Sequence, residues 1–261
     1  MGEGLSLERL NLRTPKPYDY SAEAGTLEQR IRFYCVSEGA TEESYFTGVR
    51  NNREALDIKN NVLVEVVPKE DGQETYSHPL QLVNACLQWM GRIDTEGKDI
   101  PKEDWEKHCG WEDFNPEIDV VCVIFDRDYK NLETCLDEIF SLCEKHGIRI
   151  VISNPNFELW LLMHFPDIGQ YNKKMLLENR KNLRHQLFSD ASAKKKYLEI
   201  LVSKHSEGYS KGGKLKFERF QSKVDLAVEQ ASLFSEEPEE LRTELGTTVG
   251  KLIQAMRSKI C

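Results

Sequence analysis

Four short apolar runs dominate the hydrophobic pattern of this chain. They span residues 31–36, 62–67, 120–125 and 148–152, and each is rich in Val, Ile or Phe. Runs of this length and composition are typical of strands that are buried on both faces of a sheet. The pattern therefore predicts four buried strands.

Helical periodicity lies between some of these runs. Apolar residues recur at helix spacing over residues 80–90 and again over residues 132–143. The second pattern is followed by His146 and Gly147, a combination typical of a helix C-terminus. Because strands separated by helices imply crossover connections, we expect an α/β fold with a mostly parallel sheet flanked by helices.

The rest of the pattern divides the chain into three regions. Residues 1–28 are polar and lack apolar periodicity, which indicates a flexible or draping arm. Residues 29–168 hold the predicted α/β core, and residues 169–261 form a C-terminal helical extension whose last helix is predicted over 247–256. Residues 91–116 are polar and carry two Trp residues, so they are interpreted as an insertion or long loop without an assigned role.

Charge is distributed unevenly along the chain. The 261 residues are 39% hydrophobic and 30% charged, which is enough apolar material for a folded core. The net charge of −9 excludes a surface that attracts nucleic acid everywhere. Residues 173–223, however, hold 14 Lys and Arg against 5 Asp and Glu. This basic stretch is either a solvated helical face or a surface that contacts a phosphate backbone.

Two further features bear on location. No apolar run approaches the roughly 20 residues of a membrane span, and the first residues lack the apolar stretch of a secretory signal. The seven Cys include no C-x-x-C pair, which disfavours a zinc site and a disulfide framework. We therefore expect a cytoplasmic protein with reduced thiols and no membrane partner.

The ends of the predicted strands carry the candidate chemistry, because ligands of open parallel sheets bind beyond the carboxyl ends of the strands. After the first run, Gly39 permits a tight turn, Thr41 is a candidate helix cap, and Glu38 lies at the strand tip. Glu42 and Glu43 follow. Taken alone, these two residues are most simply interpreted as negative charges that complement the positive end of a helix dipole at the helix N-terminus.

Asp126 and Asp128 follow the third run. Side chains alternate along an extended strand, so we expect both carboxylates to project to the same side. Two carboxylates at a strand tip form a candidate site for a hard divalent cation such as Mg²⁺. The alternative is an ordinary loop in which Asp caps a helix or a turn.

The fourth run is followed by a helix signal. Asn154 is a candidate cap and Pro155 fits the first helical position, which is a sufficient structural explanation for both. Glu158 and His164 either support a site or lie on a helix whose Leu and Trp residues belong to the core.

Several phosphate-handling classes do not fit this pattern. A haloacid-dehalogenase phosphatase and a receiver domain both need their acidic residues after the first strand. The chain contains neither a Walker A motif nor a G-x-S-x-G nucleophile elbow. What remains is Glu-Gly after the first strand and Asp-x-Asp after the third.

This combination resembles the Toprim fold of topoisomerases, bacterial primases and OLD nucleases. The blocks at residues 35–46, 125–128 and 153–165 resemble one family more closely, the RloB-like family. The specific block is Asn-Pro-Asn-Phe-Glu-Leu-Trp at residues 154–160, and residues 247–252 are similar to that family's closing motif. The resemblance covers roughly residues 30 to 165 in order.

The resemblance implies a Toprim-like, metal-dependent nuclease of prokaryotic antiphage defence (abortive infection), often encoded beside an RloA-type ATPase partner. It further implies Mg²⁺ or Mn²⁺ as cofactor and RNA or DNA as substrate, with transfer RNA among the candidates. By this resemblance Glu38 binds metal or acts as general acid and base, and Asp126 and Asp128 bind metal. Three further residues match family positions of less certain role: Glu42, Asn154 and Glu158. Three lysines are proposed here to hold the substrate backbone: Lys211, Lys214 and Lys216.

Two other functions stay open at this point. One is a non-catalytic nucleic-acid-binding or regulatory subunit of an ATPase complex, which the intact Glu38, Asp126 and Asp128 argue against. The other is a different phosphotransfer reaction at the same site, such as primase-like nucleotidyl transfer or hydrolysis of a small phosphate. The sequence leaves homo-oligomerisation undecided.

Overall fold

A five-stranded sheet forms the centre of the protein. The computed structural model describes residues 10–15, 29–73, 78–128, 132–181, 195–207, 209 and 215–258. The strand order is β2-β1-β3-β4-β5, with β1–β4 parallel and β5 antiparallel to β4. The strands are β1 (Ile31–Ser37), β2 (Val62–Val67), β3 (Val120–Asp126), β4 (Ile148–Asn154) and β5 (Gly246–Thr247). The α/β class and the mostly parallel sheet predicted from the apolar runs are confirmed.

Helices cover both faces of this sheet. They are α1 (Ala40–Asn51), α2 (Pro79–Trp89), α3 (Trp105–His108), α4 (Leu136–His146), α5 (Glu158–Leu162), α6 (Lys173–Glu178), α7 (Tyr197–His205), α8 (Val224–Ala231) and α9 (Val249–Ser258). Short 3₁₀ helices lie at Glu54–Leu56, Lys102–Asp104, Leu132–Thr134, Ile168–Gln170, Phe217–Arg219, Gln221–Lys223 and Glu240–Arg242. Within the described residues, no helix is long and apolar enough to cross a membrane.

The two faces of the sheet belong to two separate hydrophobic clusters. Along β1, Phe33 and Cys35 face one cluster while Tyr34 and Val36 face the other, as the alternation of a strand requires. The first cluster contains α1, α5 and residues of α7, α8 and α9, and the second contains α2 and α4. The C-terminal helices therefore complete the core on one face of the sheet.

Two polar segments of the sequence pack against this core. Leu10 and Leu12, in the described part of the predicted arm, are buried in the second cluster. Arg13 donates its backbone N–H to the carbonyl of Pro68 at 2.9 Å, just after β2. In the segment 91–116, Trp111 stacks on Tyr34 with the ring centres 4.4 Å apart. That segment therefore covers part of the sheet.

The cap predicted after β4 is wrong. The Asn154–Pro155 peptide is cis, and α5 begins three residues later at Glu158. Asn154 ends β4 and does not cap the helix, because its side-chain amide donates to the carbonyls of Leu241 at 3.0 Å and Glu244 at 2.9 Å. This amide instead fastens the segment that leads into β5.

The cap predicted at Thr41 is also wrong. Helix α1 begins at Ala40, with Gly39 rather than Thr41 at the N-cap position. Thr41 lies inside the first turn, where its hydroxyl is 3.5 Å from the Tyr209 hydroxyl. By contrast, α4 ends as predicted, at Gly147 in the left-handed conformation (φ 69°) that glycine adopts without strain.

Candidate functional site

Glu38 and Asp126 lie side by side at the carboxyl edge of the sheet. Strands β1 and β3 are neighbours, and Glu38 continues their pairing by donating its N–H to the Ile124 carbonyl at 2.8 Å. The Glu38 carboxylate then accepts the backbone N–H of Asp126 through Oε2 at 2.8 Å. The two acidic residues are thus held together by the ends of adjacent strands.

The Asp126 side chain connects β3 to the segment after β4. Its Oδ1 accepts the backbone N–H of Phe157 at 2.8 Å, directly before α5. Asp126 is buried, with 6% of its surface exposed. Asp126 therefore supplies the hydrogen-bond acceptor at the start of α5 that the sequence predicted from Asn154.

Asp128 reaches the same edge in a different way from the one predicted. Strand β3 ends at Asp126, so the alternation of an extended strand does not apply to Asp128, which lies in a turn. Its N–H donates to the Pro155 carbonyl at 2.9 Å, and its carboxylate forms an ion pair with Lys196 at the start of α7. We call Glu38, Asp126 and Asp128 the edge carboxylates.

A second acidic group is buried between α1 and α5. Glu158 accepts a hydrogen bond from the Tyr209 hydroxyl at 2.9 Å, and both residues are buried. Burial raises the pKa of Tyr209, and the negative charges of Glu158 and Glu42 raise it further. The phenol therefore stays protonated and acts as a donor. We call Glu42, Glu158 and Tyr209 the buried carboxylate cluster.

Glu42 folds back over the turn that carries Glu38. It is 5% exposed, and a Cβ atom placed on Gly39 would lie 2.7 Å from the Glu42 Oε2 atom. A side chain at position 39 would therefore displace the Glu42 carboxylate. Lys195 donates to the Tyr209 carbonyl at 3.3 Å, while the adjacent Lys196 contacts Asp128. The start of α7 therefore contacts one residue of the buried carboxylate cluster and one of the edge carboxylates.

The structure adds two lysines that sequence reasoning did not place at the site. Lys69 donates to the backbone carbonyl of Glu38 at 2.5 Å, and Lys196 pairs with Asp128. Lys69 follows the end of β2 by two residues, so the strand-end rule that found Glu38 would also have found it. Lys196 carried no such signal, because the packing of α7 alone brings it to the sheet.

Of the three lysines predicted to bind substrate, the structure describes only Lys216. Lys211 and Lys214 lie outside the described residues. Lys216 is exposed directly before the 3₁₀ helix Phe217–Arg219, and the described part of the chain supplies no hydrogen bond or ion pair to its ammonium group.

The donor set fits a hard divalent cation only in part. Among the described residues, no three His, Cys, Asp or Glu side chains are grouped so that they could hold a metal ion. However, Glu38 and Asp126 are adjacent, and Mg²⁺ usually takes one or two carboxylates with waters and substrate oxygens completing its shell. At Asp128 the ammonium group of Lys196 already forms an ion pair with the carboxylate that would bind the cation. The edge carboxylates thus fit a two-carboxylate cation site, with Asp128 available once Lys196 moves.

The fold and the site together define an α/β protein that gathers acidic residues at the carboxyl edge of a mostly parallel sheet. The family model described as RloB-like protein matches residues 33–256, which is most of the chain. The chain therefore belongs to the RloB-like family. Neither the curated proteins nor the solved structures contain a match.

Proposed function

We propose that this protein is a divalent-metal-dependent nuclease that hydrolyses phosphodiester bonds in RNA or DNA, with transfer RNA among the candidate substrates. The observation that carries the proposal is the adjacency of Glu38 and Asp126 at the strand ends, where the Glu38 carboxylate accepts the Asp126 N–H. A role in antiphage defence beside an RloA-type ATPase belongs to the proposal through the family resemblance.

Each residue of the site has a distinct task in this proposal. Glu38, Asp126 and Asp128 hold Mg²⁺ or Mn²⁺, and a bound cation supplies charge stabilisation at the phosphoryl oxygens. Glu38 is also placed to move a proton during hydrolysis. The ammonium groups of Lys69 and Lys196 lie beside these acids and are suited to attract the phosphate backbone toward a chain of net charge −9.

The buried carboxylate cluster helps to hold the helix that lies next to the edge carboxylates. Tyr209 ties Glu158 of α5 to the segment after α7, and Asp126 accepts the N–H of Phe157 at the start of the same helix. The first contact fixes α5 relative to the segment after α7, and the second fixes it relative to β3. We assign Glu42 and Glu158 to positioning the edge carboxylates, since both are almost fully enclosed by protein.

One observation favours a second candidate function. Lys196 already neutralises Asp128, as it would in a protein that binds nucleic acid without cleaving it. The second candidate is therefore a non-catalytic nucleic-acid-binding or regulatory subunit of an ATPase complex.

Cleavage assays test the proposed function directly. Purified protein is incubated with total cellular RNA and with plasmid DNA in the presence of Mg²⁺ or Mn²⁺. We expect cleavage that is lost with chelator and in Glu38→Gln, which keeps an acceptor for the Asp126 N–H but removes the charge. The matched control is Glu43→Gln, an exposed neighbour on α1 that should retain full activity.

The products separate the remaining alternatives. Hydrolysis leaves fragment ends without added nucleotides, whereas nucleotidyl transfer would lengthen the substrate. Binding without cleavage under every metal, by protein that is folded, would instead support the regulatory subunit.

Replacing Lys196 by Met should strengthen metal binding and weaken nucleic-acid binding. The ammonium group competes with a cation for Asp128, and both side chains of the pair are partly exposed. Such pairs contribute about 0.2–1 kcal/mol, so we expect Mn²⁺ affinity to rise by up to about fivefold. Electron paramagnetic resonance measures free Mn²⁺, and filter binding measures affinity for single-stranded RNA.

The control for this variant is Lys204→Met on the exposed side of the same helix. It should change neither quantity. An unaltered Mn²⁺ affinity in Lys196→Met would show that the ammonium group does not compete with metal at this carboxylate.

A further inference from the structure

A cavity of about 400 Å³ opens at the edge of the sheet opposite the edge carboxylates. It is lined by Val121 near the start of β3 and by Gly147 directly before β4, so it adjoins the amino ends of these strands. The segment 91–116, whose role the sequence did not reveal, builds much of its wall. The volume is within the range of small-molecule sites.

Arg92 places a buried positive charge in this cavity. The residue is only 5% exposed, and its guanidinium carbon lies 3.6 Å from the centre of the Trp105 ring. Within the described residues, no carboxylate forms an ion pair with Arg92. The aromatic ring offsets part of the cost of burying the cation, but a ring supplies no hydrogen-bond acceptor in the plane of the guanidinium.

His146 adds a second polar group to the wall. Its Nε2 atom is buried and has no hydrogen-bond partner in the described part of the chain. Burial lowers the pKa of His146, and the positive charges of Lys145 and Arg92 lower it further. The neutral imidazole therefore offers a hydrogen bond to a ligand without adding a charge.

The acidic residues of the lining do not neutralise Arg92. Glu106 and Glu117 are exposed. Asp119 is occupied at both oxygens, since Oδ1 accepts the Arg32 N–H at 2.8 Å and Oδ2 accepts the Asn115 N–H at 2.9 Å. Arg92 therefore supplies a buried positive charge to the cavity, Lys102 adds an exposed one, and Met90, Phe114 and Val121 form an apolar part of the wall.

We propose that this cavity is a binding site for a small organic anion with a flat apolar body. The anionic group lies against the Arg92 guanidinium and within reach of His146. The flat body packs on the apolar wall of Met90 and Phe114. A site of this kind is separate from the edge carboxylates, because β3 reaches the cavity with its first residues and the acidic edge with its last.

Paired fluorescent probes test the site. 8-Anilinonaphthalene-1-sulfonate has one negative charge on a flat aromatic body, and N-phenyl-1-naphthylamine has the same body without the charge. We expect the intact protein to bind the sulfonate at least about tenfold more tightly than the neutral probe, since only the sulfonate can accept hydrogen bonds from the charged guanidinium. The variant Arg92→Met, which keeps the apolar stem, should bind both probes with equal affinity.

Two further variants locate the binding. Cys109→Phe adds bulk at a residue that lines the cavity and should abolish binding of both probes without a change in charge. Lys251→Met removes a cation from a different cavity and should leave both affinities unchanged. Thermal melting confirms that each variant is folded.

Two results would overturn the proposal. One is equal affinity of the intact protein for the charged and the neutral probe. The other is undiminished sulfonate binding in folded Arg92→Met, or, where that variant does not fold, in Cys109→Phe.

Discussion

Replacing Asp126 by Asn should reduce nuclease activity by at least about 100-fold, the scale seen when one preorganised charge-stabilising group is removed from an active site. Asn keeps an oxygen at the position of Oδ1, so it can still accept the Phe157 N–H and hold the start of α5. It removes the negative charge beside Glu38. The expected phenotype is therefore a folded protein that fails in cation binding and in cleavage together.

Three measurements on one preparation check this expectation. They are the cleavage rate, Mn²⁺ binding by electron paramagnetic resonance, and the midpoint of thermal unfolding. Asp225→Asn is the control, because Asp225 is an exposed Asp on α8 that pairs with Arg257. Asp126→Asn with a normal melting temperature and normal cleavage would remove Asp126 from the reaction, and with it the proposed site.

Much of the sheet could be predicted from the sequence, because buried parallel strands need nearly continuous apolar runs. The four runs correspond to β1–β4. Strand β5 could not be found this way, since Gly246–Thr247 has no apolar run and pairs with β4 over only two residues. It is held by local polar contacts, including a 2.7 Å hydrogen bond between the hydroxyls of Ser153 and Thr247.

The candidate site was partly predictable for a geometric reason. Carboxyl ends of neighbouring parallel strands share one edge, so acids that follow β1 and β3 meet whatever the loops do. Residues from distant parts of the chain had no comparable signal. Lys196 and Tyr209 reach the acids only because α7 and the segment after it pack on α5, and single-sequence periodicity does not report which helices touch.

The cap errors have a related cause. A cap residue is recognised by its position next to a helix, yet the N–H groups at a helix start donate to any suitably placed oxygen. At α5 that oxygen comes from Asp126, which is 31 residues earlier in the chain. The error therefore lies where the candidate site is built: the acid that anchors α5 is the same acid proposed to bind metal.

A buried histidine makes the stability of this protein depend on pH. His164 is fully buried, and its Nδ1 lies 3.0 Å from the Trp160 carbonyl, which can only accept, so Nδ1 donates. Nε2 then accepts from the Tyr45 hydroxyl at 3.1 Å. Burial lowers the pKa of His164 to about 3. The imidazole is therefore part of the core and stays neutral in the folded protein.

The free energy of unfolding should fall as the pH is lowered from about 6.5 toward about 3. In this window the unfolded chain takes up a proton at His164 and the folded protein does not, so acid favours unfolding. The contribution is fully present above the unfolded pKa. Its loss approaches about 1.4 kcal/mol per pH unit and amounts to roughly 3–5 kcal/mol in total, which is a large part of the stability of a typical domain.

Urea unfolding of the intact protein and His164→Asn at several pH values between 7.5 and 4 measures this contribution. The variant should be less stable at pH 7, because the Tyr45 hydroxyl loses its acceptor at a cost of about 1–3 kcal/mol. Its stability should nevertheless decline less with acid, so the two curves converge as the pH falls. His108→Asn, at an exposed position, should follow the intact protein throughout. Parallel curves for the intact protein and His164→Asn would mean that another group carries the acid sensitivity.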